Sequence, residues 1–176
     1  MLVVGGKLCV IVPQSTMVGK NKYDKKRKKE ILENHTLESV ITLNTDTFHG
    51  VGVNPCIAVF TAGFRHPKNK RVSFVNFIDD GYVVRKHVGL VGDGTEKGKR
   101  EHLLNVLEGN DEDGTNFIVK TTIKSTDEWL HSFYYFNEEI PSESEFEKSI
   151  ADFIAFKLDM TIHNKGYLFE DGDKNE

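Results

Sequence analysis

The feature that most constrains the fold is a series of short apolar runs, each of strand length, in the first part of the chain. They lie at residues 7–12 (KLCVIV), 37–43 (LESVITL), 54–62 (NPCIAVFTA) and 72–78 (VSFVNFI). The first run is almost continuously apolar, which is typical of a strand covered on both faces of a parallel sheet. A basic, helix-favouring stretch beginning at Asp24, with Asp24 as N-cap, separates the first two runs. This order predicts part of a doubly wound α/β sheet.

The remainder of the chain has a different pattern. The sequence predicts an extended segment at 81–91, a helix at 97–107, strands at 117–124, 129–136 and 156–162, a hairpin turn at 125–128 and a helix at 142–155. Leu103, Leu104 and Leu107 would form the apolar face of the first helix, and Ser142 with Glu145 would cap the second. These elements predict a mixed α+β extension, and we expect the acidic residues 170–176 to be disordered.

Composition excludes several classes of protein. A chain of 176 residues with 38% hydrophobic and 28% charged residues is typical of a single soluble domain with a real core. No apolar run reaches the roughly 18 residues of a membrane helix, and no secretory signal is recognisable. Cys9 and Cys56 both lie in apolar runs, which predicts two buried, reduced thiols in a cytoplasmic protein. The scattered histidines lack zinc-site spacing, so we expect no metal.

Positive charge is concentrated in one segment although the net charge is −4. The cations there are Lys20, Lys22, Lys25, Lys26, Arg27, Lys28 and Lys29, opposed only by Asp24. Such a cluster creates a local positive field that favours phosphates. A charge run is also typical of a solvated helix face, and both interpretations stay open at this point.

Two glycine- or proline-containing stretches resemble functional motifs and do not satisfy them. Asn54 and Pro55 precede a strand, whereas an Asn-Pro-Pro-aromatic catalytic loop must follow one, and Cys56 and Ile57 supply neither the second proline nor the ring. Residues 91–99 (VGDGTEKGK) lack the glycine spacing of a P-loop and the Ser or Thr after its lysine. The sequence therefore predicts no cofactor-phosphate site and no metal-dependent site.

The stretch 48–53 (FHGVGV) is a candidate ligand loop. Gly50 and Gly52 permit positive φ and close approach of a ligand to the backbone. Phe48, ahead of them at a sheet edge, could stack on a planar ligand or fold back as a lid on the core. His49 could act as a base in a small α/β enzyme, although no carboxylate lies at a telling spacing.

Taken in order, these elements resemble the second half of the adenine-specific, S-adenosylmethionine-dependent DNA methyltransferase domain in modification subunits of type I and related restriction-modification systems. The matching stretches are 5–13 (GGKLCVIVP), the basic helix, 37–43, 48–53 and 56–60, followed by 80–87 (DGYVVRKH) and 137–142 (NEEIPS). The resemblance covers most of the chain, and it implies the later strands of a Rossmann-like methyltransferase sheet.

The resemblance implies roles for specific residues. Phe48 would stack on the flipped adenine, with His49, Gly50 and Gly52 beside the base. The backbone of the DNA would be contacted by Lys20, Lys22, Lys25, Lys26, Arg27 and Lys28. The implied partners are DNA, the upstream half of the methyltransferase and a specificity subunit.

The family's S-adenosylmethionine loop and Asn-Pro-Pro-aromatic loop lie upstream of residue 7. We therefore expect the chain alone to bind no cofactor and to transfer no methyl group. The expected organisation is 1–80 for the methyltransferase sheet, 81–169 for the α+β extension and 170–176 for the tail. The alternative is a non-catalytic DNA-binding or subunit-docking module from a truncated methyltransferase gene.

Overall fold

The structure is a computed structural model that describes residues 3–110, 114–136 and 142–169. It divides into two compact units, Met1–Phe136 and Asn137–Glu176. The predicted disordered tail lies outside the described residues. The expected boundary between residues 80 and 81 stays a prediction. The main sheet also includes one strand from after this boundary, at Ile118–Thr121.

The first unit contains both strands and helices. The strands are β1 (Lys7–Pro13), β2 (His35–Leu43), β3 (Pro55–Ala62), β4 (Val72–Phe77), β5 (Tyr82–Arg85), β6 (Gly89–Gly92) and β7 (Ile118–Thr121). The helices are α1 (Gln14–Val18), α2 (Lys22–Asn34), α3 (Glu96–Leu107) and α4 (His131–Tyr134). The second unit contributes helix α5 (Glu143–Ile162) and a 3₁₀ turn at Gly166–Phe169.

Five strands form one mixed sheet in the order β1-β3-β2-β4-β7, and β5 and β6 form a separate hairpin. Strands β2 and β4 are parallel, with Val40 opposite Phe74. Strand β3 is antiparallel to both β1 and β2, and β7 is antiparallel to β4. The prediction of an α/β fold with a partial doubly wound sheet is confirmed.

Strand β1 differs from its prediction. It lies at the edge of the sheet, pairs antiparallel with β3, and alternates between half-buried and exposed side chains. Leu8, Val10 and Val12 pack on the core, whereas Cys9 is exposed and Ile11 is 58% exposed. The expectation of a parallel strand covered on both faces was wrong, because an edge strand with one covered face buries only every second side chain.

The two faces of the sheet bury separate apolar clusters, as the period-2 geometry of strands requires. Val40 and Phe74 lie in the larger cluster, which Ile31 and Leu32 of α2 partly cover. Their neighbours Ile41 and Val75 lie in the smaller cluster with Val106 of α3. Of the predicted face of α3, Leu103 packs on this cluster, but Leu104 and Leu107 are largely exposed.

The N-cap of helix α2 lies three residues earlier than predicted. Asn21 is its N-cap, and the Asn21 side chain accepts a 2.9 Å hydrogen bond from the backbone N–H of Asp24. Asp24 instead lies in the first turn, where a carboxylate interacts favourably with the positive end of the helix dipole. The prediction of Asp24 as N-cap was therefore wrong.

The aromatic segment at 129–136 is not a strand and makes no hairpin with 117–124. The backbone N–H of Trp129 donates to the carbonyl of Met17 at 3.1 Å, and its indole N–H donates to the carbonyl of Lys124 at 2.9 Å. Its ring is 1% exposed within the larger cluster. Trp129 and Leu130 are both buried in the core, and the short helix α4 begins directly after them.

The second unit contains one long helix. Ser142 and Glu145 form the predicted capping box at its start. The helix continues to Ile162, so the predicted strand at 156–162 was wrong. A strand needs a partner, and the described part of this unit contains none, whereas helical hydrogen bonds are local. Phe153 and Phe156 make edge contacts with Phe169 at centroid distances of 6.4 and 5.7 Å.

No helix among the described residues is long and apolar enough to span a membrane.

Candidate nucleic-acid interface

The carboxyl ends of the parallel strands β2 and β4 meet at one edge of the sheet, and Asn44 joins the two loops that follow them. The Asn44 side-chain amide donates to the Asp80 carboxylate at 2.9 Å and to the carbonyl of Tyr82 at 3.2 Å. Its side-chain oxygen accepts the backbone N–H of Asp46 at 2.9 Å. In open α/β sheets, ligands bind outside the carboxyl ends of the parallel strands. This edge is therefore the first place to look for a site.

The predicted loop 48–53 lies at this edge. Gly50 and Gly52 have φ of +83° and +67°, and a Cβ at either position would meet nothing within 4 Å. The two glycines are therefore required for the turn itself and not for a close packing contact. The turn is closed by a 3.0 Å hydrogen bond from the N–H of Val51 to the carbonyl of Phe48.

Phe48 is 43% exposed in this loop, and His49 is exposed beside it. The side chain of Phe48 is therefore not a buried lid on the core, and part of it is accessible to a ligand. Among the described residues, none makes a hydrogen bond or ion pair with His49, so the interpretation of His49 as an oriented base has no support from the geometry. Residues 3–110, 114–136 and 142–169 contain no cluster of three or more His, Cys, Asp or Glu side chains that could hold a metal ion.

The basic segment divides into exposed and engaged cations. Lys22, Lys25, Lys26 and Arg27 are exposed along α2. The Lys26 amine lies 3.8 Å from the Glu30 carboxylate one turn on, and the Lys20 amine lies 2.5 Å from Glu128. The Lys26–Glu30 pair is exposed and therefore weak, so Lys26 remains available to a phosphate, whereas Lys20 pairs with a carboxylate whose side chain is only 21% exposed.

Lys28 corrects the predicted set of DNA-backbone residues. Its side chain is 4% exposed, and its amine donates to the carbonyls of Met17 at 2.5 Å, Gly19 at 3.2 Å and Asp127 at 2.9 Å. It also lies 5.3 Å from the centroid of the Trp129 ring. Burial lowers the pKa of Lys28, and the nearby carboxylates oppose that shift. Lys28 therefore holds α2 against the core and does not face DNA.

The two thiols differ from each other. Cys56 is fully buried, and burial raises its pKa to about 11. Cys9 is exposed on β1, so the prediction of two buried thiols was wrong for Cys9. Both cysteines are free. The difference follows from the position of β1 at the sheet edge.

One partly buried ionic cluster was not predicted. The Glu38 carboxylate accepts from Thr61 at 2.5 Å and lies 2.7 Å from the Lys70 amine and 3.0 Å from the Lys7 amine. These contacts outweigh burial, which acts in the opposite direction, and lower the pKa of Glu38 to about 2. The partners come from three different parts of the chain, so no sequence spacing indicates the cluster.

Comparisons with known proteins agree with this architecture. A family model described as N-6 DNA Methylase matches residues 1–142. The type II restriction enzyme and methyltransferase RM.BcgI of Heyndrickxia coagulans is 74% identical over the whole chain, which spans only 28% of the length of that relative.

Solved structures give the same fold. A chain of a type I restriction-modification system matches 98% of this chain and 37% of its own, with a TM-score of 0.52 and 14% identity. The type I methyltransferase subunit from Streptococcus thermophilus matches 66% of this chain and 23% of its own, with a TM-score of 0.50 and 16% identity. The family match covers most of the chain and includes every strand of the sheet, and the chain therefore belongs to the N-6 DNA methylase family.

Proposed function

We propose that this chain is the C-terminal part of an S-adenosylmethionine-dependent, adenine-N6-specific DNA methyltransferase of a restriction-modification system. It would act in the cytoplasm together with the remainder of the methyltransferase and with a specificity subunit. The observation that carries the proposal is the family match over residues 1–142, combined with an exposed aromatic loop at the carboxyl edge of the parallel strands. In this arrangement the chain completes the sheet and contributes contacts to DNA.

S-adenosylmethionine would supply the methyl group, and the described residues do not fit a site for it. The only glycine-rich turn that joins a described strand to a helix is the one between β6 and α3. There the N–H of Gly94 donates to the Glu96 carboxylate and the N–H of Thr95 to the Asp93 carboxylate, both at 2.8 Å. A Cβ at Gly81 would lie 2.6 Å from the backbone of Glu96. Because the chain's own side chains fill this helix N-terminus, we assign the cofactor site and the Asn-Pro-Pro-aromatic loop to the upstream half.

Phe48 is the residue that we assign to the target base. An adenine rotated out of the duplex loses its stacking energy, and an exposed ring at the sheet edge returns part of that energy. The hydrogen bond from the N–H of Val51 to the carbonyl of Phe48 closes the turn that carries the ring. Asn44 ties the loop to Asp80, which fixes its position relative to β4.

The exposed cations of α2 are assigned to the DNA backbone. Lys22, Lys25, Lys26 and Arg27, with Lys20 just before the helix, provide a positive surface on a chain whose net charge is −4. Phosphate contacts of this kind position the protein without reading sequence. Lys28 is excluded from this set because it is buried.

The upstream half is assigned to the outer edge of β1. An edge strand presents unpaired backbone N–H and C=O groups. Cys9 and Ile11 are also exposed. They lie on the same face of the sheet as the smaller apolar cluster, which covers this face on the neighbouring strands. A further strand with apolar side chains, supplied by the preceding part of the methyltransferase, would satisfy the backbone and cover both residues.

The test is complementation. The chain is expressed alone and together with the upstream part of the same methyltransferase, and transfer of radiolabelled methyl groups to the adenine amino group of DNA is measured. We expect no transfer by the chain alone and transfer by the assembled pair. Methylation by the isolated chain would contradict the assignment of the cofactor site, and a folded but inactive pair would contradict the assigned function.

A second candidate is a non-catalytic DNA-binding module, which the exposed cations of α2 favour. Here the isolated chain would bind duplex DNA in a salt-dependent manner, and neutralising Lys25 and Arg27 would weaken the binding. Methyl transfer by the assembled pair distinguishes the two candidates, because only the first predicts it.

A further inference from the structure

A second basic site lies at the opposite edge of the sheet from the Phe48 loop. Strand β3 runs antiparallel to β2, so its carboxyl end at Ala62 lies beside the start of β2 at His35. The loop that follows β3 forms, with the last turns of α2 and the segment after β7, the walls of a pocket of about 200 Å³. Neither the sequence patterns nor the proposed methyltransferase roles assign a function to this pocket.

The pocket is lined by four cations from three segments of the chain. They are Lys29 of α2, Arg65 and Lys68 of the loop after β3, and Lys124 after β7. Ser125 adds a hydroxyl group, and Glu33 is the one carboxylate in the lining. A pocket of this volume is sufficient for a small oxyanion.

Hydrogen bonds to the backbone hold the walls of the pocket. The N–H of His66 donates to the carbonyl of Leu32 at 2.8 Å, which fixes the loop against α2. The hydroxyl of Thr36 donates to the carbonyl of Phe64 at 3.0 Å. The N–H of Lys124 donates to the Asp127 carboxylate at 2.8 Å. The cations therefore project from fixed backbone positions.

The balance of charge in the pocket is positive. Glu33 offsets one of the four cations, and its carboxylate lies 3.9 Å from the Lys29 amine. The carboxyl end of the α2 dipole contributes the equivalent of about half a negative charge. A net positive charge of about two and a half remains, which matches a phosphate group and repels a cationic ligand.

His66 gives an independent indication of a missing hydrogen-bond partner. It is 9% exposed, and both of its ring nitrogens are buried with no hydrogen-bond partner among the described residues. Burial and the charge of Lys70 lower its pKa, and Glu38 opposes them. A neutral imidazole keeps one N–H donor, and a buried donor without an acceptor is costly. An oxyanion in the pocket would supply the acceptor.

We propose that this pocket binds a phosphate group through Lys29, Arg65, Lys68 and Lys124, with Ser125 as a hydroxyl donor. The phosphate belongs either to a DNA backbone or to free phosphate. Lys29 continues the row that Lys22 and Lys26 form along α2 at spacings of four and three residues, which place side chains on one helix face. That continuity favours the DNA backbone, and this part of the inference rests on the proposed function.

The test uses the whole chain and NMR of its histidine side chains during titration with sodium phosphate at constant ionic strength. We expect a saturable change in the His66 signals and a rise in the pKa of His66, because a bound anion stabilises the imidazolium. The double variant K68Q/K124Q should lose at least about tenfold in phosphate affinity. The matched control K97Q, which neutralises an 80% exposed lysine of α3, should titrate as the wild type does.

A change in the His66 signals that does not saturate, or that is equal in K68Q/K124Q and in the wild type, would overturn the proposal. Thermal melting of each variant establishes that it is folded, and K68Q alone, which should bind more weakly than the wild type, provides a second measurement. If a short DNA duplex displaces the bound phosphate, the natural ligand of the pocket is the DNA backbone. If phosphate stays bound in the presence of the duplex, the natural ligand is free phosphate. If phosphate binds while the assembled methyltransferase transfers no methyl group, the phosphate site is confirmed and the proposed methyltransferase function is contradicted.

Discussion

The side-chain amide of Asn44 donates a 2.9 Å hydrogen bond to the carboxylate of Asp80, and this bond joins the loops that follow the parallel strands β2 and β4. Asp80 also accepts the backbone N–H of Tyr82 at 3.0 Å. The Phe48 loop is thus attached at its base to the next loop of the sheet edge. A base-contacting ring needs such a fixed attachment, because stacking depends on the orientation of the ring.

The first prediction concerns Phe48. The substitution Phe48→Ala should lower kcat/KM of the assembled methyltransferase by roughly 5- to 150-fold, since stacking contributes roughly 1–3 kcal/mol per base. Phe48→Trp should retain most of the activity. Because Phe48 is 43% exposed, the melting temperature of either variant should change little. The control Phe64→Ala removes a 53% exposed ring from the loop after β3 and should leave activity unchanged. Equal losses at both positions would contradict the assigned contact.

The second prediction concerns the basic face of α2. The double substitution K25Q/R27Q should weaken DNA binding and reduce the slope of log K against log salt by about 1.8, at about 0.9 per phosphate contact on duplex DNA. The measurement is fluorescence anisotropy with a short duplex at several salt concentrations. K97Q serves as the control, and an unchanged slope in K25Q/R27Q would remove α2 from the interface.

The third prediction separates Lys28 from its neighbours. The substitution Lys28→Met removes the donor to three carbonyl groups and should lower the free energy of unfolding by about 1–3 kcal/mol. The salt slope of DNA binding should stay the same, because the Lys28 amine does not reach solvent. Urea denaturation and anisotropy together check the two expectations. A reduced slope without loss of stability would return Lys28 to the DNA-facing set.

The fourth prediction concerns the acid stability of the Glu38 cluster. The folded-state pKa of Glu38 is lowered to about 2 from its ordinary value of 4.5, because its hydrogen bonds to Lys70, Thr61 and Lys7 outweigh burial. The cluster therefore contributes its full stability above about pH 4.5 and loses it as pH falls through about 2. The variant Glu38→Gln should be less stable than the wild type at neutral pH, with the difference shrinking across this window. Urea denaturation at a series of pH values measures it, and a difference independent of pH would contradict the coupling.

The fifth prediction uses the two thiols as built-in probes. A thiol-specific reagent should modify Cys9 rapidly in the folded chain and Cys56 only after unfolding, since Cys56 is fully buried and its pKa is raised to about 11. When the upstream half is bound, Cys9 should be protected. Mass spectrometry of the labelled peptides reports both sites. Full labelling of Cys9 in an active assembled enzyme would place the upstream half elsewhere.

Local patterns were sufficient for much of this fold. The runs that became β2, β3 and β4 carry their own apolar periodicity, and the Ser142 capping box is complete within four residues. The exposed turn at Gly50 and Gly52 was also predictable, because glycine is the residue that tolerates positive φ.

The features that could not be predicted depend on distant partners. Lys28 lies in a run of solvated cations. Its amine is buried where it donates to the carbonyl of Asp127, which is 99 residues further along the chain. Trp129 belongs to a strand-like sequence but fills the core instead, where its backbone N–H donates to the carbonyl of Met17, far away in the sequence. The pocket proposed to bind phosphate likewise draws its cations from three separated segments. Periodicity describes a residue's neighbours along the chain, and none of these contacts is between such neighbours.

The position of Trp129 bears on the order in which the protein can fold. Its ring lies in the same cluster as Val40 and Phe74, so the core of the early strands stays incomplete until residues 127–130 have been synthesised. Such non-local closure slows folding, because loop entropy must be lost before the contact forms. A polypeptide cut after residue 80 would leave that core open to water, and it should not survive as an independent folding unit.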